Sequence, residues 1–185
     1  ILEVTVFPRG PFDTAQQPKL IIGGREVKVG VTPLALNLAV VIDTEPDSVP
    51  RLIEFVRTSN ATKTTMWGFS DQLYVESIAP WASDVERNTG YLSNWKPAQR
   101  LKHKAETALT KIAKEFTSLD GRKVVVFVSD GRFLDDPARN CNPNVGKSLE
   151  GIEVFVYCTN SCTENSYKLL CSCADNSLNG GCTDG

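Results

Sequence analysis

Residues 38–48 read LAVVIDTEPDS: five apolar residues run into Asp43, and three acids, Asp43, Glu45 and Asp47, then stand on alternate positions. A short, uninterrupted apolar run of this kind is the pattern of a strand buried on both faces, as in a parallel sheet covered by helices. A buried strand that delivers acids to its carboxyl end points to a site there, because ligands of open α/β sheets bind beyond the carboxyl ends of the strands. The question is whether these acids hold a metal or are what is left of a site that once did.

Working outward, the same kind of strand recurs at TTMWGF (64–69), QLYVESI (72–78), VVVFV (124–128) and EVFVYC (153–158). The second and third are separated by a tight connection at Asp71, which predicts an antiparallel pair. Helices fall between the others. From Ser48 to Ser59, Asp47 or Ser48 can cap, Pro50 falls in the first turn, and Leu52, Ile53 and Val56 form a buried stripe. From Pro97, Leu101, Ala105, Ala108, Ile112 and Phe116 recur at three- and four-residue steps, with Gly121 just past the end. A short helix before Gly151 and another over Glu164 to Leu170 complete the set. Upstream, EVTVFP and KLIIGGREVKV carry a Gly23-Gly24 hairpin signal. The expected architecture is α/β: a doubly wound, mostly parallel sheet with one antiparallel edge strand, helices on both faces, a β extension over 1–33 and a disulfide-rich C-terminal tail. The main domain spans 34–175 and the cysteine-containing tail 176–185.

Composition narrows the function classes. With 185 residues, 41% apolar and 23% charged, the chain fits one domain with a sizeable core. A formal net charge of −2, with no long basic run, argues against a nucleic-acid partner. No apolar run approaches the roughly 20 residues that span a bilayer, so this segment is not expected to insert in a membrane. Opening at Ile1 with no Met and no signal-like segment, it reads as a mature or trimmed fragment.

All six cysteines, Cys141, Cys158, Cys162, Cys171, Cys173 and Cys182, fall in the last 45 residues of the chain. Crowded into a tail rich in turn formers, they read as disulfides replacing a core the tail cannot build, and hence as a mark of an oxidising compartment. Zinc is disfavoured: no C-x-x-C knuckle is present, and the one histidine, His103, lies far upstream. Asn60-Ala61-Thr62 is a glycosylation acceptor pattern. Both features place the chain outside the cell, secreted or as the ectodomain of a membrane protein.

Enzymatic readings lack their central residues. GFSDQ has Gln72 where a nucleophile elbow needs its second glycine. His103 falls on a lysine-rich helix face, and neither a Walker loop nor G-x-G-x-x-G follows any strand. A metal-dependent hydrolase built on the acids would lack histidines and a second shell. What remains is the set of acids at strand ends: Asp43, Asp71 in the hairpin connection, and Asp130 after VVVFVS.

VVVFVSDGRFLDDP, followed about twenty residues later by GIEVFVYCTN and a short acidic helix, resembles the fourth and fifth strands of a von Willebrand factor A domain. LNLAVVIDTEPDS is similar to the first strand of that family, and TTMWGFSDQLYVE to the second and third, so the resemblance covers about residues 35–175. In the family, Asp-x-Ser-x-Ser after the first strand, a threonine from a later loop and an Asp before Gly form a metal-ion-dependent adhesion site. By position the resemblance assigns Asp43 and Asp130 to the two aspartates. Glu45 and Asp47 stand where the serines belong, and Thr89 or Ser93 of RNTGYLSNWKP would supply the hydroxyl of the later loop.

Two hydroxyls have thus become carboxylates. Hydroxyl ligands leave a bound Mg²⁺ electrophilic toward an acid of the partner; four carboxylates quench it and fit Ca²⁺ better than Mg²⁺. Asp47 can also serve as a helix cap. A degenerate site that no longer holds an ion is therefore favoured over an altered Ca²⁺ site or a conventional Mg²⁺ site, so the expected cofactor set is none, with a divalent cation (Ca²⁺ or Mg²⁺) as the alternative. The function implied is an extracellular adhesion or protein-binding module, not an enzyme. Its partner, an extracellular protein or a neighbouring domain, would meet loops 43–48, 70–71, 88–96 and 130–140, with Tyr91, Asn94, Trp95, Lys96, Arg132 and Phe133 as contact residues and Arg139 nearby. The alternative is a structural spacer in a multidomain ectodomain or matrix protein.

Overall fold

The computed structural model describes residues 20–27, 34–42, 49–69, 75–94, 105–129, 140–158, 171–175 and 181–184. The chain divides into two compact units, Ile1–Pro33 and Leu34–Gly185. In the first, β1 (Leu20–Ile22) and β2 (Arg25–Val27) pair antiparallel through Gly23 and Gly24, both at positive φ. This is the hairpin the glycine doublet predicts, since a two-residue turn of this hand needs left-handed backbone at both central positions.

The second unit runs β3 (Leu36–Ile42), α1 (Val49–Thr58), β4 (Lys63–Phe69), β5 (Val75–Ala82), α2 (Val85–Asn94), α3 (Ala105–Glu115), β6 (Arg122–Ser129), α4 (Pro143–Ser148), β7 (Glu153–Cys158) and β8 (Gly181–Asp184). The strands form one six-stranded sheet in the order β5-β4-β3-β6-β7-β8. Only β5 is antiparallel to its neighbour; every other pairing is parallel. The expected mostly parallel sheet with one antiparallel edge strand is the observed one.

Alternate residues of the central strands feed two cores. On one face Leu38, Val40, Ile42, Met66, Val124 and Val128 pack with Val49, Leu52 and Val56 of α1 and Leu92 of α2. On the other, Ala39, Val41, Trp67, Val125, Phe127, Val154 and Val156 meet Ala108, Leu109 and Ile112 of α3, Val145 of α4, and Cys173 and Ala174 of the helical turn at 171–175.

Three details differ from the sequence reading. Residues 88–94, expected as part of a loop, belong to α2: Asp84 Oδ1 accepts from the Arg87 amide at 2.9 Å and starts the helix, while buried Asn88 Nδ2 donates to Thr64 O at 2.7 Å and to Pro80 O at 3.2 Å. β5 extends through Pro80 to Ala82, which an edge strand tolerates because its outer amides need no partner. The segment 176–185, separated as a tail, supplies β8, which pairs with β7 from Phe155↔Gly181 to Cys158↔Asp184. The amino-terminal strand EVTVFP and the helix expected over Glu164–Leu170 lie outside the described residues, as do the first turns expected for α3 from Pro97.

The amino-terminal edge of the sheet is locked by polar contacts. Gly121, at φ +95°, lies so close to Ala35 that a Cβ would sit 2.4 Å from the Ala35 carbonyl oxygen, so only glycine fits. Buried Asn37 donates through Nδ2 to Asp120 O at 2.7 Å. Arg122 makes a two-pronged ion pair with buried Glu153, at 2.7 and 2.8 Å; the hydrogen bonds it donates to the carboxylate hold the guanidinium protonated still more firmly than usual.

Candidate binding site at the carboxyl ends of the strands

The register fixes where the strands stop. Ile42 pairs with Gly68 on one side and Val128 on the other, and Ser129 pairs with Cys158, so β3, β4, β6 and β7 end together at one pole of the sheet. In sequence Asp43 follows Ile42 directly, and Asp130 follows Ser129. Asp43, Glu45, Asp47, Asp130, Asp71, Trp95, Lys96, Arg132, Phe133, Arg139, His103 and Cys162 lie outside the described residues.

The frame beside this pole is described on its C-terminal side. The segment that leaves β6 after Ser129 returns at residues 140–142, and three contacts pin the return. Cys141 is disulfide-bonded to Cys173, the Cys141 amide donates to Ser172 Oγ at 3.1 Å, and the Asn142 amide donates to Glu106 Oε1 at 2.7 Å in the first turn of α3. Asn142 then caps α4, its side-chain oxygen accepting from the Asn144 amide at 3.0 Å. Both ends of the 130–139 segment therefore spring from fixed points, the sheet at Ser129 and the stapled junction at Cys141.

Glu106, Cys141 and Cys173 bring their ligand-type atoms within 4.8 Å of one another, a grouping the sequence does not suggest. With both sulfurs joined to each other, neither offers a thiolate, so the cluster as it stands is a staple and not a metal centre. Cys171 is also disulfide-bonded, to a partner side chain outside the described ones, and none of the described cysteines is free. The backbones of Cys158 and Cys182 lie on neighbouring strands β7 and β8. Of the disulfides expected among the six cysteines, the described residues show one pairing, Cys141–Cys173.

Residues 88–94 of the third expected loop are helix instead. Thr89 is buried, with its hydroxyl donating to Glu86 O at 3.1 Å, and Ser93 Oγ donates to Thr89 O at 2.9 Å; both hydroxyls are bonded back onto α2. Tyr91 and Asn94 are exposed on the same helix, Tyr91 with the Arg87 guanidinium 5.8 Å from its ring centre, and Asn94 Nδ2 donating to Gly90 O at 2.9 Å. Asn88 sits level with Thr64 at the start of β4. Six helical residues from there rise about 9 Å, whereas β4 climbs about 17 Å from Thr64 to Phe69. Tyr91 and Asn94 therefore stand on the flank of the sheet, short of the strand ends. The signal that would have found the helix is SDVER, with Asp84 as its cap.

No protein-family model matches the chain, and no curated protein matches it. Solved structures do. The conserved hypothetical protein BatB from Bacteroides thetaiotaomicron superposes with a TM-score of 0.57 at 15% identity, over 83% of this chain and 91% of that one. The proximal thread matrix protein 1 of the mussel byssus, in a form with a zinc-occupied MIDAS motif, gives 0.52 at 15% identity over 76% of this chain and 48% of the other. The SpRpn10 VWA domain gives 0.51 at 8% identity, over 82% and 89%. With the antiparallel strand at one edge, helices on both faces and these likenesses, the chain has a von Willebrand factor A-like fold.

Proposed function

We propose that this domain is an extracellular protein-binding module that meets its partner at the carboxyl pole of the sheet and does so without a divalent ion. The observation that carries the reading is the stapled frame. The Cys141–Cys173 bridge and the Glu106 contact fix the chain at Cys141 and Asn142, just after 130–139 in sequence, and an anchored chain end reduces the entropy a binding segment has to lose. A disulfide in that frame supports an oxidising compartment. Arg132 and Phe133 within the segment, with Trp95 and Lys96 after α2, supply the aromatic and cationic side chains that dominate hot spots. Tyr91 and Asn94 extend the contact down the flank. Among the described residues no helix is long and apolar enough to cross a membrane. The domain is not an enzyme in this reading: no histidine accompanies the acids after β3 and β6 in sequence.

Metal independence rests on ligand chemistry. Glu45 and Asp47 replace two neutral hydroxyls of the family pattern by carboxylates, and the Thr89 and Ser93 hydroxyls are engaged by their own helix. A structural-spacer reading has one observation in its favour, the tying of the C-terminal segment into the sheet as β8. The byssus thread matrix protein is a setting in which this fold occurs in a matrix protein.

The test has two arms. Titration calorimetry with Mg²⁺, Mn²⁺ and Ca²⁺ is expected to show no binding heat at concentrations below roughly 100 µM that depends on Asp43. Capture of protein from conditioned medium on the immobilised domain, in EDTA, is expected to fall at least tenfold for Trp95→Ala and Arg132→Ala. A heat that vanishes in Asp43→Ala, or capture abolished by EDTA, overturns metal independence. Capture untouched by both substitutions moves the reading to the spacer.

A further inference from the structure

We infer that Asn60 carries an N-linked glycan, placed at the pole of the sheet opposite the candidate binding loops. Asn60-Ala61-Thr62 is the one N-x-S/T sequence in the chain. It forms the turn between α1 and β4. Asn60 is exposed, and its carboxamide has no hydrogen-bond partner among the described residues. The turn itself is well held without that side chain. Ser59 Oγ donates to Val56 O at 2.7 Å and accepts from the Ala61 amide at 3.3 Å, while the Thr62 amide donates to Leu36 O at 2.8 Å. Thr62 Oγ1 accepts from the Leu36 amide at 3.2 Å.

Asn60 sits at φ 53°, a left-handed position just past a helix end, where glycine or asparagine is favoured on backbone grounds alone. Glycine would satisfy the backbone as well. What asparagine adds is a solvent-facing amide two residues ahead of a threonine.

The modification is a group transfer from a lipid-linked oligosaccharide pyrophosphate. A bond forms between Asn60 Nδ2 and the anomeric carbon of the first sugar. The bond from that carbon to the pyrophosphate oxygen breaks, the pyrophosphate leaves with the electron pair, and the amide loses one proton. Lys63 follows at once as the first residue of β4 and pairs with Asn37 at the amino edge of the sheet, so the glycan projects from the end opposite Ile42 and Ser129. A partner docking at the carboxyl pole does not meet it.

The inference rests on the extracellular part of the reading above, and one sample tests both. The full chain is secreted from a eukaryotic line behind a heterologous signal. Its intact mass is measured before and after peptide N-glycosidase F, and its non-reduced peptides are mapped. The expected result is a single glycan mass step, removed by the enzyme with conversion of Asn60 to Asp. The step is absent in Asn60→Gly and Thr62→Ala and retained in Thr62→Ser, with Asn60→Gly unfolding at the wild-type midpoint. A chain that carries the Cys141–Cys173 bridge but an unmodified Asn60 overturns this inference and leaves the extracellular reading standing. A chain that is retained, reduced and unmodified overturns both.

Discussion

The two faces of the sheet are closed by different means. On the α1/α2 face, two ten-residue helices lay Val49, Leu52, Val56 and Leu92 on the strands, and apolar burial with one buried asparagine suffices. On the α3/α4 face, among the described residues, α3 is followed by the six-residue α4 and by helical residues 171–175. There the Cys141–Cys173 bridge joins them, with both cysteines buried inside the cluster. Among the described residues, the face that holds the shortest helix is also the one that carries a covalent link.

If that contrast is right, the largest effect comes from cutting the staple. Cys141→Ala with Cys173→Ala releases a loop of 32-residue separation, expected to cost about 3–4 kcal/mol by loop-closure entropy. Hydrogen exchange should then show α4 and residues 171–175 opening well before α1 and α2. Equal loss of protection on both faces breaks the comparison.

On the other face the largest polar contribution is Asn88. Replacing it by Ala removes the donor to Thr64 O, Thr64 Oγ1 and Pro80 O and is expected to cost about 2 kcal/mol, read as a lower denaturant midpoint with an unchanged slope. A loss as large as that of the double cysteine variant would mean the α1/α2 face depends on one polar anchor as heavily as its counterpart depends on the bridge.

The smallest effect is the exposed Arg57–Glu86 pair between α1 and α2, 2.6 Å apart. The hydrogen bond from Arg57 holds the Glu86 carboxyl below its ordinary value of 4.5. A depressed folded-state value means that the contribution is present above about 4.5 and fades as pH falls through the lower folded value. Near neutral pH, Arg57→Ala should be close to silent; below 4.5 its stability should fall with pH slightly less steeply than the wild type's. A large loss at pH 7 would show that the ion pair, and not the apolar stripe, holds the two helices together.

Much of this layout is legible in the residues. Unbroken apolar runs announce β3, β4, β6 and β7, and three- and four-residue steps announce α1 and α3, because burial on two faces or one stripe writes itself directly into hydrophobicity. Helix α2 escapes that signal because the side chains it buries are Asn88, Thr89 and Leu92, two of them polar, with Asn88 Nδ2 and the Thr89 hydroxyl donating to main-chain carbonyls. β8 escapes because Gly181, Cys182, Thr183 and Asp184 join through backbone pairing to β7, which leaves no apolar trace. At the site, the pole where acids would cluster follows from strand order. The pinning of the return at 140–142 does not, because it joins Glu106, Cys141 and Ser172 from three distant stretches of chain.

The central position of β3 also sets a schedule for synthesis. Its pairing with β4 begins with Asn37↔Lys63, 63 − 37 = 26 residues apart, but its pairing with β6 begins with Leu36↔Arg122, 122 − 36 = 86 residues apart. One side of the strand can be covered soon after it leaves the ribosome. The other stays an open hydrogen-bonding edge, flanked by Val40 and Val41, until α2 and α3 have also emerged, and open apolar edges are where nascent sheets meet neighbours they should not.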